Sequence, residues 1–86
     1  MSHQVVIKPA AQRQFKKLTL AIQKDLIALI EGLSEDPRPS GCKKLKGWEN
    51  QYRVRSGDYS IVYGVEDALL MIRVIKVGHR LDVYEE

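Results

Sequence analysis

The stretch Gln51-Tyr52-Arg53-Val54-Arg55-Ser56-Gly57-Asp58-Tyr59-Ser60-Ile61-Val62-Tyr63-Gly64-Val65 decides the fold. Two β-type runs, Gln51 to Ser56 and Tyr59 to Val65, flank Gly57-Asp58, a two-residue signal for a hairpin turn. In the second run Tyr59, Ile61, Tyr63 and Val65 share one face, and the smaller Ser60, Val62 and Gly64 share the other. In the first run Arg53 and Arg55 are two residues apart, so both project from the same side of the sheet.

Downstream, Glu66-Asp67 reads as a tight turn before the apolar run Leu69 to Val77, which Gly78 is expected to end, with Leu81 to Tyr84 as a short tail. Upstream, Gln4 to Lys8 is a short β-type run closed by Pro9, which suits the first turn of a helix. Ala10, Ala11, Phe15 and Leu18 give a first amphipathic helix, from Pro9 to about Leu18. Thr19 can cap a second helix, whose apolar face is Ile22, Leu26, Leu29, Ile30 and Leu33. Asp36 to Gly41 breaks that pattern as a loop. The order β-α-α-β-β-β predicts an α+β fold, an N-terminal strand and helical hairpin packed on an antiparallel β-meander, in a single domain over residues 1–86.

The bulk properties narrow the function. A chain with 44% hydrophobic and 29% charged residues is an ordinary globular protein, and no run approaches the length needed to span a bilayer. No membrane association is expected. Met1 to Lys8 has neither a charged n-region nor an apolar h-region, so no secretory signal is expected. Cys42 is the single cysteine, read as a loop bystander, which suits a reducing cytoplasm. The net charge of +3 is concentrated: Lys43, Lys44, Lys46, Arg53 and Arg55 are opposed locally only by Glu49. That cluster is either a solvated face or an attractor of phosphate or an acidic partner.

No phosphate-binding glycine loop, metal-ligand spacing, dinucleotide fingerprint or nucleophile elbow is present, so neither metal nor cofactor is expected. His3 reads as a solvated terminus. What remains is cationic and aromatic. Arg53 and Arg55 either pair with Glu49 or Asp58, or bind an anion between them. Arg80 and Tyr84 either lie at the surface and edge, or join the two arginines in one patch. Such a patch fits RNA cleavage by the message's own 2′-OH, which needs a base, cations and an acid. Guanidinium forks match phosphate oxygens, while Tyr84 or His79 could move protons.

Lys44-Leu45-Lys46-Gly47, Tyr52-Arg53-Val54-Arg55-Ser56-Gly57-Asp58-Tyr59, Ile61-Val62-Tyr63, Val77-Gly78-His79-Arg80 and Val83-Tyr84, with Pro9-Ala10-Ala11 and Phe15-Lys16-Lys17-Leu18 before them, together resemble the RelE toxin family. The resemblance implies a RelE/ParE-like fold and a metal-independent endoribonuclease, the toxin of a type II toxin–antitoxin pair that cuts mRNA in the ribosomal A site and so inhibits translation. It implies Arg53, Arg55, Arg80 and Tyr84 as catalytic residues, and Lys43, Lys44 and Lys46 as cations for ribosomal or message phosphates. Expected partners are a cognate acidic antitoxin, the ribosome and mRNA, with operator DNA reached only through the antitoxin complex. Family members usually carry arginine where this chain has Ser60. Three explanations stand: a weakened toxin, reliance on Arg53, Arg55 and Arg80 alone, or an altered position. Two rival functions remain, a ParE-like inhibitor of DNA gyrase and a non-catalytic antitoxin-binding or co-repressor module.

Overall fold

The computed structural model describes residues 2–79. Strand β1 (Gln4–Ile7) leads through helices α1 (Pro9–Lys16) and α2 (Leu20–Glu35) to β2 (Lys43–Lys44), β3 (Gln51–Ser56), β4 (Tyr59–Glu66) and β5 (Met71–His79). The expected α+β class holds: both helices pack on one face of a five-stranded sheet ordered β1-β5-β4-β3-β2. Two details depart from the antiparallel meander. Strand β1 pairs parallel with β5, Gln4 opposite Met71 and Ile7 opposite Val74, so the sheet is mixed. Lys43 and Lys44, expected in a loop, add a short edge strand on β3.

Local chemistry explains the helices. Pro9 opens α1, where its missing N–H costs nothing, and Arg13 and Lys16 occupy the last turn, where the helix dipole favours cations. The Gln23 amide donates to the carbonyls of Phe15 and Leu18, tying the first turn of α2 to the end of α1 and the residues that follow it. Thr19 caps α2 as expected, its hydroxyl accepting from the Ile22 N–H at 3.4 Å. The α2 stripe Leu26, Ile30 and Leu33 is buried against Ile61, Tyr63, Val65, Ile72, Val74 and Val77 of β4 and β5.

The hairpin forms where it was expected, with Gly57 at φ 59°, a left-handed conformation that glycine adopts without strain. After β4, residues Asp67–Leu69 make a single 3-10 turn, and Leu70 takes a left-handed conformation before β5 begins. Gly78 does not end β5. It pairs with Ser60, and the strand continues to His79. The ladder between β4 and β5 slips once: Val62 faces Lys76 but Tyr63 faces Val74, leaving Ile75 as an extra residue. This bulge lets Ile72, Val74 and Val77 all reach the core despite their uneven spacing.

His3 is not a solvated terminus. Its backbone N–H donates to Ser34 O at 2.7 Å, the Ser34 hydroxyl donates back to His3 O, and its ring meets Asp67 at 3.4 Å. Asp67 also binds Arg38 at 2.8 Å, while Arg38 Nε donates to the Tyr52 hydroxyl at 2.9 Å. Tyr63 donates to Pro37 O at 2.7 Å and stacks on Tyr52. The loop at Pro37 and Arg38 is thereby tied to β3, β4 and the turn that follows β4.

Candidate nucleic-acid interface

The face of the sheet away from the helices is organised in rungs, because residues opposite one another across a ladder project to the same side. One rung reads Arg55, Ser60, Gly78. The next reads Lys43, Arg53, Val62, Lys76. A third reads Gln51, Gly64, Arg73. Successive rungs lie about 7 Å apart, twice the rise of a strand. Four cations, Lys43, Arg53, Arg55 and Lys76, therefore stand on adjacent rungs of one surface.

Beneath them the floor is apolar. Leu45 is 4% exposed and Val62 2%, and with Ile75 and Trp48 they border a cavity of about 220 Å³. Arg53 and Ser60 are buried polar residues on this open face, diagonal neighbours across the β3–β4 ladder. Ser60 is fully buried, and its hydroxyl has no hydrogen-bond partner among the described residues. A buried guanidinium held over apolar side chains is less screened than a surface lysine and interacts more strongly with an arriving anion. At the far end, a cleft of about 720 Å³ runs past Gly64, Gln51 and Trp48, with Lys8 and Arg73 on its walls. Arg73 is engaged there by an ion pair with Glu66.

The structure brings some of the sequence candidates together and separates others. Arg53 and Arg55 share the open face, and neither Glu49 nor Asp58 forms an ion pair among the described residues. Lys43 joins them opposite Arg53. Lys44 does not: it lies opposite Tyr52, whose ring packs with the helix-side core. Lys46 follows in the loop, where Lys44 and Lys46 flank a shallow depression beside Trp48. His79 is on the other face, opposite Tyr59, whose ring it meets edge-on at 5.7 Å beside Gln14 and Leu18. Arg80 and Tyr84 lie outside the described residues. Lys76 escaped the sequence reading, although its signal was present. Strict alternation from Ile72 and Val74 would put a lysine in the core, and that conflict marks the bulge.

On the helix-side face of β4, burial pushes the Tyr63 hydroxyl well above the ordinary phenol range. Arg38 holds the Asp67 carboxyl below its usual value, and that pair in turn raises Arg38. Both effects belong to the loop and turn beside the helices, not to the cationic face.

These features define a class, a small two-layer α+β domain with helices on one sheet face and cations on the other. Residues 5–84 match the family described as the ParE toxin of the type II toxin–antitoxin system parDE. A RelE-like toxin protein of Escherichia coli is 34% identical over 89 residues, covering 98% of this chain and 92% of its own length. The mRNA interferase toxin RelE of Escherichia coli strain K12 is 32% identical over 80 residues, covering 88% and 83%. The isolated E. coli RelE toxin superposes with a TM-score of 0.81 at 25% identity, over 91% of this chain and 84% of that one. The RelE chain matched in the archaeal RelE–RelB complex from Pyrococcus horikoshii gives 0.82 at 26% identity, over 93% and 97%. The chain belongs to the RelE/ParE family of type II toxin–antitoxin toxins and is a RelE-type member.

Proposed function

We propose that this toxin is a ribosome-dependent mRNA endoribonuclease that cuts in the A site by attack of the message's own 2′-OH. The observation that carries this reading is the single sheet face on which Arg53, Arg55, Lys43 and Lys76 stand above an apolar floor. In this reading Arg53 and Arg55 hold the phosphate oxygens and stabilise charge as it builds on them, the role a metal plays in other nucleases. Proton transfer falls to Tyr84, with Arg80 completing the cationic set. His79, turned to the helical face against Tyr59, is poorly placed to contribute. The name mRNA interferase carried by the E. coli relative supports the reaction class.

The protein acts in the cytoplasm with the ribosome and mRNA and is neutralised by a cognate acidic antitoxin. Similarity to the RelE–RelB complexes supports that partner, and operator DNA is reached only through the pair. Primer extension on a defined mRNA held on stalled ribosomes tests the activity. Cuts within the A-site codon that disappear in Arg53→Ala and Arg80→Ala are the expected result. The matching family's ParE description favours one rival, inhibition of DNA gyrase. A supercoiling assay with intact mRNA as the companion readout distinguishes it. Antitoxin binding with neither activity would leave a co-repressor module.

A further inference from the structure

The bulge in β5 does more than complete the core. It turns Lys76 out onto the open face, opposite Val62 and in line with Arg53 and Lys43. Neighbouring strands are about 4.8 Å apart, so Arg53 and Lys76 rise from backbone positions roughly 10 Å apart with only Val62 between them. Val62 is shorter than either cationic side chain and is buried between them in the sheet. The adjacent rung holds Arg55 but is otherwise Ser60 and Gly78, neither of which carries charge. Lys76 is the diagonal neighbour of Ser60 on the β5 side.

We propose that Lys76 contacts the scissile phosphate from the β5 side, opposite Arg53, and supplies the cation that position 60 lacks. This role rests on the ribonuclease reading above. In the reaction the 2′ oxygen bonds to phosphorus and the bond from phosphorus to the 5′ oxygen breaks. The 2′ proton leaves to a base, and the departing 5′ oxygen takes a proton. The products are a 2′,3′-cyclic phosphate and a 5′ hydroxyl, with no oxidation or reduction. Lys76 transfers nothing; it neutralises charge on the phosphoryl oxygens, which are more negative in the transition state than in the message. Arg53 and Lys76 approach from two sides, which suits a trigonal-bipyramidal centre whose equatorial oxygens point apart.

The test is single-turnover cleavage of a defined mRNA on stalled ribosomes by the wild type, Lys76→Gln, Lys76→Arg and the double variant Ser60→Arg with Lys76→Gln. Thermal melts run beside it confirm that each protein is folded. Lys76→Gln is expected to cut about 10²–10³-fold more slowly, as when one transition-state donor is lost. Lys76→Arg is expected to stay within about tenfold of wild type, since the fork keeps the charge. Recovery of cleavage by Ser60→Arg in the Lys76→Gln background would place the two positions on one phosphate. Wild-type speed in Lys76→Gln overturns the assignment. So does a loss that neither Lys76→Arg nor Ser60→Arg relieves, because that pattern marks a structural lysine. Absence of cleavage by the wild type overturns the ribonuclease reading itself, an outcome distinct from both.

Discussion

Lys43 and Lys44 are neighbours in the chain with the same charge and similar exposure, yet the β2–β3 register gives them opposite surroundings. Lys43 stands opposite Arg53 on the cationic face, and Lys44 stands opposite Tyr52 on the helical side. Neutralising them one at a time therefore tests whether RNA lies on the face assigned to it. Each phosphate contact to a single strand contributes about 0.7 to the slope of log affinity against log salt. The four cations Lys43, Arg53, Arg55 and Lys76 then give a slope near −2.8, and affinity falls about 50-fold between about 50 and 200 mM salt.

Lys43→Gln removes one contact. The slope should shrink to about −2.1 and the fall over the same range to about 18-fold. Lys44→Gln should leave the slope where it was. The assay is fluorescence anisotropy of a short single-stranded RNA carrying 2′-O-methyl groups, so that binding is read without cleavage. Equal slope changes in the two variants, or a larger one in Lys44→Gln, would refute the assignment of faces. A flat salt response in the wild type would refute phosphate binding by this surface altogether.

Three further outcomes concern the scaffold. Tyr63→Phe removes a hydroxyl that donates to Pro37 O across the helix–strand loop, and it should cost about 1 kcal/mol, lowering Tm by roughly 4–8 °C in a calorimetric scan. Ser60→Ala deletes a buried hydroxyl with no partner among the described residues, so stability should rise by up to about 1 kcal/mol, and a fall in Tm would contradict the burial seen here. Asp67, held below its ordinary value of 3.8 by Arg38, contributes stability that is complete above that value and lost as pH falls through its lower folded-state pKa. Melting curves of wild type and Asp67→Asn should accordingly differ near neutral pH and converge in acid; a gap that persists unchanged in acid would argue against the pair.

The β3–β4 hairpin was legible because two constraints coincide there: Gly57-Asp58 supplies the turn, and alternation from Tyr59 to Val65 supplies the faces. Thr19 was legible for a similar reason, standing between two apolar stripes at the position a cap must occupy. Arg53 and Arg55 followed from alternation alone, and the register confirms that they share a face. Other placements depended on long-range pairing, which local pattern does not encode. The parallel partner of β1 comes from the far end of the chain, and the short strand at Lys43 exists only because β3 offers it an edge. His79 was read as a possible proton carrier from its residue type alone, which does not say which face it occupies; its partner Tyr59 fixes it on the helical side. Lys76 was missed because Leu69 to Val77 was read as one apolar run with no faces assigned, whereas Ile72, Val74 and Val77 can share a face only if one residue is looped out.

That looped-out residue bears on how so small a domain keeps a charged working surface. A short chain buries only a modest share of its surface, so one face of the sheet must carry most of the core. Here the helices cover that face, and the opposite one keeps a thin apolar floor of Leu45, Val62 and Ile75. The floor withdraws water from beneath Arg53, which is 8% exposed, so much of its desolvation is met when the protein folds rather than when RNA arrives. An anion reaching that surface then meets a preorganised charge in a poorly screened setting, which strengthens the contact per cation. Enlarging the floor would cover the cations, and removing it would return them to the weak, water-screened regime of surface lysines. A lone valine between Arg53 and Lys76 satisfies both limits, which is why substitution of Val62 by a bulkier side chain should impair RNA binding while leaving the helix-side core intact.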